Sequence, residues 1–515
     1  MKTSSGQLAL IWLLAAVLVA LNFQLQADIG LNMADEGYLW YGAWRVSEGE
    51  VPRLDFRGYD PPRNYWLAFF APFFGDGILG MRAGADLFLA IGLALGLLAA
   101  RRAAPTLLLV PLALLLLVWV FPRHKVFEHA IAMAAVYVAV LMLENPGTRS
   151  AFLGGFFVGL AGTFRRNHAV YTCVAMTGVL IHNEILKPGR LTWHSFRAFL
   201  TFAAGVVTGF FPVWILTIRH PGFGNAYLDS ILVILRRGQS NQPLPIPWPW
   251  TLDFAGLESW VLAHRLGVGI GFTLLFVFFP MAAFRLWQTR DNVSPARTLL
   301  LAATLVGLPY THHAMVRSDV AHLCQVAHPV LLGTLALLAT FQGARRQAYR
   351  GTVAFLLIAL TAAVPLFVQP RVLKARHAKA FVADDLNGDS MWIWKSQAKL
   401  IQHSRDLVES GGEDDFVFIA PMSTALYPIL GKTSPTWDPY PLWAPSEEGS
   451  QRMIEDLRHP RVRWAIIDHT AVSGDHFWDT HPDVWDYIND SFTKIESRKL
   501  DVLRVSFFER NSSVP

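Results

Sequence analysis

Charge is scarce in this sequence. Asp, Glu, Lys and Arg make up 16% of the 515 residues, where a soluble domain carries about a quarter. That shortage excludes an ordinary soluble enzyme. Cysteine is scarcer still. Cys173 and Cys324 are the only two, and both fall in apolar segments, which excludes a disulfide framework and a cysteine-based zinc site. Internal repeats and low-complexity tracts are missing as well, so a repeat array is not expected. His312, His313, His322 and His328 invite a metal reading, but no H-x-x-x-H with a third ligand stands out. No metal ligand is assigned, and a divalent ion is left open as a cofactor.

Apolar residues are abundant instead, at 53% with a mean hydropathy of +0.34. Runs of about 17–22 apolar residues, long enough to cross a hydrocarbon core, recur through the first 370 positions. The expected class is an α-helical polytopic membrane protein with about eleven spans. They are placed near 7–27, 78–100, 104–121, 127–143, 151–164, 169–183, 198–217, 264–286, 298–312, 321–341 and 351–369. The first reads as an uncleaved helix, although "LQA" before Asp28 faintly resembles a cleavage site. The run "NYWLAFFAPFFG" (Asn64 to Gly75) is too short to span comfortably and is expected to lie at the outer surface.

Cation placement supports this count. With the N-terminus inside, the inner loops carry Lys2, Arg101, Arg102, Arg149, Lys187, Arg190, Arg290, Arg297, Arg345, Arg346 and Arg350, as the positive-inside bias requires. Counting 64–75 as a span would put these clusters outside. The pI of about 9.2 therefore reflects sorting across a membrane, and nucleic acid is not an expected partner. Outside fall the opening loop (28–77), "FPRHK" (121–125), "FRRNH" (164–168), a proline-rich loop (218–262) and "HHAMVRSDVAH" (312–322).

After Gln369 the composition turns polar. "FVFIA" and "RWAIID" read as short buried strands, "SEEGSQRMIEDLRHP" and "HPDVWDYINDSF" as helices, and "KLDVLRVSFFER" as a closing strand or hairpin. The expected organisation is a transmembrane domain over 1–370 and a small soluble α/β domain over 371–515 on the outer side.

Two features could carry chemistry. Asp35 and Glu36 open "DEGYLWYGAWRVSEGE", an amphipathic helix expected to end near Gly49. Asp35 suits an N-cap, and an ionised carboxylate held there could equally act as a general base. Asp55, Arg57, Tyr59 and Asp60 follow in the same loop as candidates for substrate contact. The second feature is a set of outer cations: Arg123, Lys125, Arg165, Arg166, Arg236, Arg237 and Arg317, with Asp319 and His322 beside the last. Several separate outer loops supplying cations point to a common anionic ligand, and such clamps suit phosphate. The bland reading of "RSDVAH" is a capped helix start, with Ser318 or Asp319 as the cap. A lipid-linked phosphate fits the pattern, its tail among helices and its head at the outer boundary. Trp248 and Trp250 could line a lipid or sugar at that depth.

The opening loop resembles that of C-type polytopic glycosyltransferases, in the branch of protein O-mannosyltransferase-like and lipid A aminoarabinose transferase-like enzymes. The resemblance rests on an ordered set: Asp35-Glu36 after one helix, "GEVPRLD" (Gly49 to Asp55), Pro61-Pro62, and Phe74-Gly75 followed by Arg82. "GLAGTFRRNHAVY" and "RSDVAHL" resemble further segments of bacterial relatives. One departure is Asp60, where that family usually has His before Pro-Pro. The resemblance implies inverting transfer of a sugar from a polyprenyl-phosphate donor to a glycan, lipid or protein acceptor, at the periplasmic face of a bacterial inner membrane. Asp35 would deprotonate the acceptor, Glu36 would orient the acceptor or modulate Asp35, and Arg165, Arg166, Arg237 and Arg317 would stabilise the departing phosphate. A transporter or flippase for anionic lipids, a non-catalytic scaffold for lipid-linked sugars, and an enzyme using a diphosphate carrier are the competing readings.

Overall fold

The computed structural model describes residues 4–184, 193–237, 243–255, 258–341, 364–365, 367–472, 474–500 and 503–511. Among the described residues, fourteen α-helices precede the C-terminal segment: α1 Ser5–Gln26, α2 Asp35–Ser47, α3 Pro61–Phe74, α4 Ile78–Ala100, α5 Leu109–Val118, α6 Val126–Glu144, α7 Thr148–Phe164, α8 Arg166–Glu184, α9 Trp193–Gly209, α10 Phe211–Arg219, α11 Phe223–Arg237, α12 Ser259–Gln288, α13 Pro295–Val316 and α14 Val320–Thr340. Among the described residues, six helices are long and apolar enough to cross a membrane: α1, α4, α6 with the turn before it, α12, α13 and α14. A seventh results if α9 and α10, bent by 47° at their junction, form one span. Helices α7 and α8 occupy two further expected spans, and α5 is only 10 residues long. The expected span 351–369 lies almost wholly outside the described residues.

The chain divides into two compact units. One comprises Met1–Leu25, Ala85–Pro221 and Ile234–Leu373, and the other Gln26–Gly84, Gly222–Val233 and Lys374–Pro515.

In the first unit, α13 packs on α6, α8 and α14, α6 packs on α8 and α14 as well, and α7 packs along α9. Glycine explains the closeness of that last pair. A Cβ built on Gly155 or Gly159 would sit 2.0 or 2.2 Å from the carbonyl oxygens of Phe202 and Val206. The reverse holds for Gly205 and Gly209, each 2.2 Å from a carbonyl of α7. Small residues four apart on both helices let the backbones touch, which is how helices associate where burying apolar surface gives little advantage over lipid.

In the second unit, α3 is 14 residues long, about 21 Å at helical rise and short of a hydrocarbon core. It leaves Phe69, Phe73 and Phe74 exposed, as expected of a surface helix. The C-terminal segment forms a hairpin of β1 (Phe381–Leu386) and β2 (Asp389–Trp394) and a sheet of β3 (Phe416–Ala420), β4 (Val462–Asp468), β5 (Phe492–Leu500) and β6 (Leu503–Arg510). The sheet order is β3-β4-β6-β5, with β3 parallel to β4 and the other pairs antiparallel. The expected strands 416–420 and 463–468, the helices Glu447–Leu457 and Pro482–Ser491 and a closing hairpin are all present. The β1–β2 hairpin is an addition to the sequence reading. Its turn is Asn387-Gly388, both at positive φ (57° and 93°), the residue pair that a two-residue hairpin turn favours.

The loop after α1 is bound to this sheet-bearing segment. Gly30 N–H donates to the Trp392 carbonyl and Trp392 N–H to that of Asp28, each at 2.7 Å, while Ala425 N–H donates to Met33 at 2.9 Å. Gly37 makes room for the last contact, because a Cβ there would lie 2.4 Å from the Ala425 nitrogen.

Candidate active site

The acidic pair splits into two environments. Glu36 is buried, and Arg82 grips it with a fork of two bonds, Nε to Oε1 at 2.9 Å and Nη2 to Oε2 at 2.7 Å. Asn32 N–H also donates to Oε2 at 3.2 Å. The same guanidinium donates to the carbonyls of Ala27 and Gly30. Glu36 thus ties the chain leaving α1 to the start of α4.

Asp35 is half-buried at the first position of α2. It is not the helix cap. Asn32 takes that work, its Oδ1 accepting from the N–H groups of Ala34 and Asp35 at 3.0 Å each. The N-cap reading of Asp35 is corrected, and the carboxylate engages a different group: Tyr59 donates its hydroxyl to Oδ1 at 2.8 Å. The Tyr59 ring meets Tyr38 edge-on with centroids 4.7 Å apart, and Tyr38 meets Tyr440 at 5.1 Å. Arg63 lies over the Tyr59 ring at 5.6 Å. Burial pushes the Tyr38 and Tyr440 hydroxyls above the usual phenol range, so both stay neutral.

The remaining loop residues sort by partner. Asp55 accepts from Val51 N–H at 2.7 Å and closes the turn after Gly49. Arg57 pairs with Asp438, and its N–H donates to the Trp437 carbonyl at 2.7 Å. Asp60 is buried at the start of α3.

In the other unit, Arg165 and Arg317 occupy equivalent positions. Each is an extended residue directly after a long helix, Arg165 after α7 and Arg317 after α13. There the helix carbonyl ends favour a cation. Arg165 Nε lies 3.5 Å from Glu128, a carboxylate of α6 with no exposure. Arg317 Nε donates to Asp319 Oδ2 at 2.8 Å. Asp319 caps α14 by accepting from His322 N–H at 2.9 Å and lies 2.7 Å from His322 Nδ1. The capped-start reading of "RSDVAH" therefore holds with Asp319 as cap. Burial alone would raise the Asp319 carboxyl, but the bonds from His322 and Arg317 hold it down to about 2. His322 faces His313 with ring centroids 4.9 Å apart, and His313 faces His168 at 5.7 Å. Arg166 is the first residue of α8, and Lys125 ends the turn before α6; both are half-buried. Arg236 and Arg237 end helix α11, so the region after α10 begins with a helix where an irregular loop was expected. Its amphipathic pattern was the available signal, and the prolines that follow obscured it. Among the described residues, no group of three or more His, Cys, Asp or Glu could hold a metal.

A buried chain of polar residues thus adjoins two corner arginines in one unit, and in the other a half-buried aspartate is fixed by a tyrosine. No protein-family model and no curated protein sequence matches the chain. Solved structures do. ArnT from Cupriavidus metallidurans in the apo state matches over 100% of this chain and 99% of its own, with 12% identity and a TM-score of 0.51. The chain has the fold of ArnT. A second ArnT structure, bound to undecaprenyl phosphate, matches over 99% of both chains at 14% identity and a TM-score of 0.50. The likeness is one of fold: a polytopic helical body with a small sheet-bearing C-terminal segment.

Several residues of the candidate site were not singled out from the sequence. Glu128 carried a signal, a lone carboxylate inside an apolar span, which is costly unless it has a partner. Tyr38 carried a weaker one, standing one helical turn after Asp35. Tyr440 and Asp438 carried none, since only folding brings them to the loop from about 400 residues away in the chain.

Proposed function

We propose that this chain is an inverting glycosyltransferase that moves a sugar from a polyprenyl-phosphate donor to an acceptor hydroxyl at the outer face of a bacterial inner membrane. The observation that carries the reading is Asp35, a carboxylate oriented by Tyr59 at the head of a helix, in a chain with the fold of ArnT. Undecaprenyl phosphate is bound in one ArnT structure, which supports a lipid phosphate as the common ligand of the corner arginines.

In the proposed reaction Asp35 takes the proton of the acceptor hydroxyl. The oxygen forms a bond to the anomeric carbon, the bond from that carbon to the phosphate oxygen breaks, and its electron pair leaves with polyprenyl phosphate. Inversion follows because nucleophile and leaving group act on opposite sides of one carbon. Arg165, Arg166, Arg237 and Arg317 are assigned to the donor phosphate, where guanidinium forks suit its oxygens. Lys125, Arg236, Asp60 and His322 are further candidates for substrate contact. Glu36 acts as a positioning residue in this scheme, since Arg82 engages both of its oxygens.

The transport reading has less support. A transporter uses a broken helix to present polar or charged groups at mid-membrane. Here the bend between α9 and α10 falls in "GVVTGFFPVWI" (205–215), which contains no ionisable residue.

The test is release of free polyprenyl phosphate by the full chain in nanodiscs, over a panel of polyprenyl-phosphate sugars, with wild type beside Asp35→Asn. General-base loss predicts a fall of about 10²–10⁴-fold with unchanged thermal stability. Transfer at wild-type rate in Asp35→Asn would remove Asp35 from the chemistry.

A further inference from the structure

We infer that Tyr59 and Tyr440 are positioning residues for Asp35, Tyr59 by donating to its carboxylate and Tyr440 by bracing Tyr59 through the ring of Tyr38. This rests on the reading of Asp35 as the base, and it gives the C-terminal segment a part in catalysis.

The geometry is continuous. The Tyr59 hydroxyl can serve a carboxylate only as donor, and the 2.8 Å bond to Oδ1 fixes the rotation of the carboxylate plane. Tyr38, which shares the helix of Asp35, packs between Tyr59 and Tyr440. Ala34, Tyr38 and Tyr440 form one buried cluster, with Tyr59, Met422 and Leu442 against it. Tyr440 is itself fixed, because its N–H donates to Asp438 Oδ1 at 3.1 Å. Asp438 pairs with Arg57, two residues before Tyr59. The strand of loop that carries Tyr59 and the segment that carries Tyr440 are therefore joined twice, once through rings and once through the ion pair.

The consequence is electrostatic as well as geometric. A hydrogen bond to the charged form of a carboxylate stabilises that form. Removing the Tyr59 hydroxyl therefore makes Asp35 protonate at higher pH, and the acid limb of the transfer rate moves up with it. The charged groups nearest the ring stack are Arg53, Arg57, Arg63, Asp60 and Asp438, with Glu36 adjacent in sequence. All of them are unchanged in the variants proposed here.

The experiment uses the full chain in nanodiscs. Carboxyls are coupled to an amine by a water-soluble carbodiimide at about pH 3 to 7 and mapped by mass spectrometry. This reaction needs the protonated acid, so the yield at Asp35 follows its titration whether or not a donor is known. In Tyr59→Phe the midpoint at Asp35 is expected at higher pH than in wild type. Tyr440→Ala is expected to shift it the same way, while Tyr440→Phe, which keeps the ring, leaves it in place. Transfer by Tyr59→Phe is expected to fall about tenfold or more through kcat, with the donor KM unchanged. An unmoved midpoint in Tyr59→Phe overturns the inference, as does a rise in donor KM alone, which would make Tyr59 a substrate contact. If Asp35→Asn still transfers sugar, the base reading fails separately, and the labelling result stands on its own.

Discussion

Arg82 engages both carboxylate oxygens of Glu36, at 2.9 and 2.7 Å, with about 3 to 4% of either side chain exposed. One helical residue earlier, Asp35 is half-buried and bonded to a tyrosine. Neighbouring acids with the same chemistry are thereby given different duties. Breaking a buried pair from one side strands the other charge, at a cost of about 3–5 kcal/mol. Arg82→Ala and Glu36→Gln are therefore expected to lower the midpoint of thermal unfolding sharply and to reduce folded yield. Asp35→Asn is expected to leave both where they are. Arg82→Lys keeps the charge but loses the fork, and should fall between.

Glycine at the contact of α7 and α9 gives a packing prediction. Gly159→Val puts a side chain where a carbonyl oxygen stands 2.2 Å from the Cβ site. The helices must separate, and overpacking of this kind costs about 1–3 kcal/mol or more. Gly178→Ala, whose nearest neighbour is the tip of Leu305 at 3.4 Å, is the matched control. Size-exclusion profiles and unfolding curves in detergent should separate the two.

The corner arginines predict donor affinity. Arg317→Ala removes a guanidinium held beside Asp319, and a charge-assisted bond is worth about 1.5–3 kcal/mol. Affinity for polyprenyl phosphate in nanodiscs should fall about ten- to a hundred-fold. Arg149→Ala, an exposed cation at the start of α7 and expected on the inner side, should change it little. Equal losses from the two would argue against the phosphate role and the expected topology.

His481 predicts a pH response of stability. It is buried against Phe477 with ring centroids 4.8 Å apart. Burial pushes its imidazole down to about 4, below the ordinary value near 6.5. Between those two values the unfolded chain binds a proton that the folded chain refuses, so stability falls as pH drops from about 6.5 to 4. The expected loss is roughly 3 kcal/mol. His481→Gln should flatten that part of the curve, measured as unfolding midpoint against pH.

The strands β3 and β4 and the long apolar helices were legible, because each depends on local rules: short apolar runs and span length; the Asn387-Gly388 turn carried an equally local signal and was passed over. Asp35 was legible as a candidate for the same reason, as an acid at a helix start beside a membrane exit. Its capping role was misread because the choice between Asp35 and Asn32 as the oxygen that caps α2 depends on backbone angles over three residues. The helix α11 was hidden by a proline run that governs only the residues after it.

By itself, the sequence determined that this chain is a polytopic helical protein with a polar α/β tail, and that its opening loop carries acids and its other loops cations. Composition and periodicity suffice for that, since they act over a few turns of chain. Tertiary structure alone decided that Glu36 is held by Arg82 while Asp35 meets Tyr59, and that Tyr440 from the far end of the chain braces them. Those assignments depend on which side chains meet across tens to hundreds of residues. No local preference encodes such meetings; they follow from burying rings and pairing charges in one packed unit.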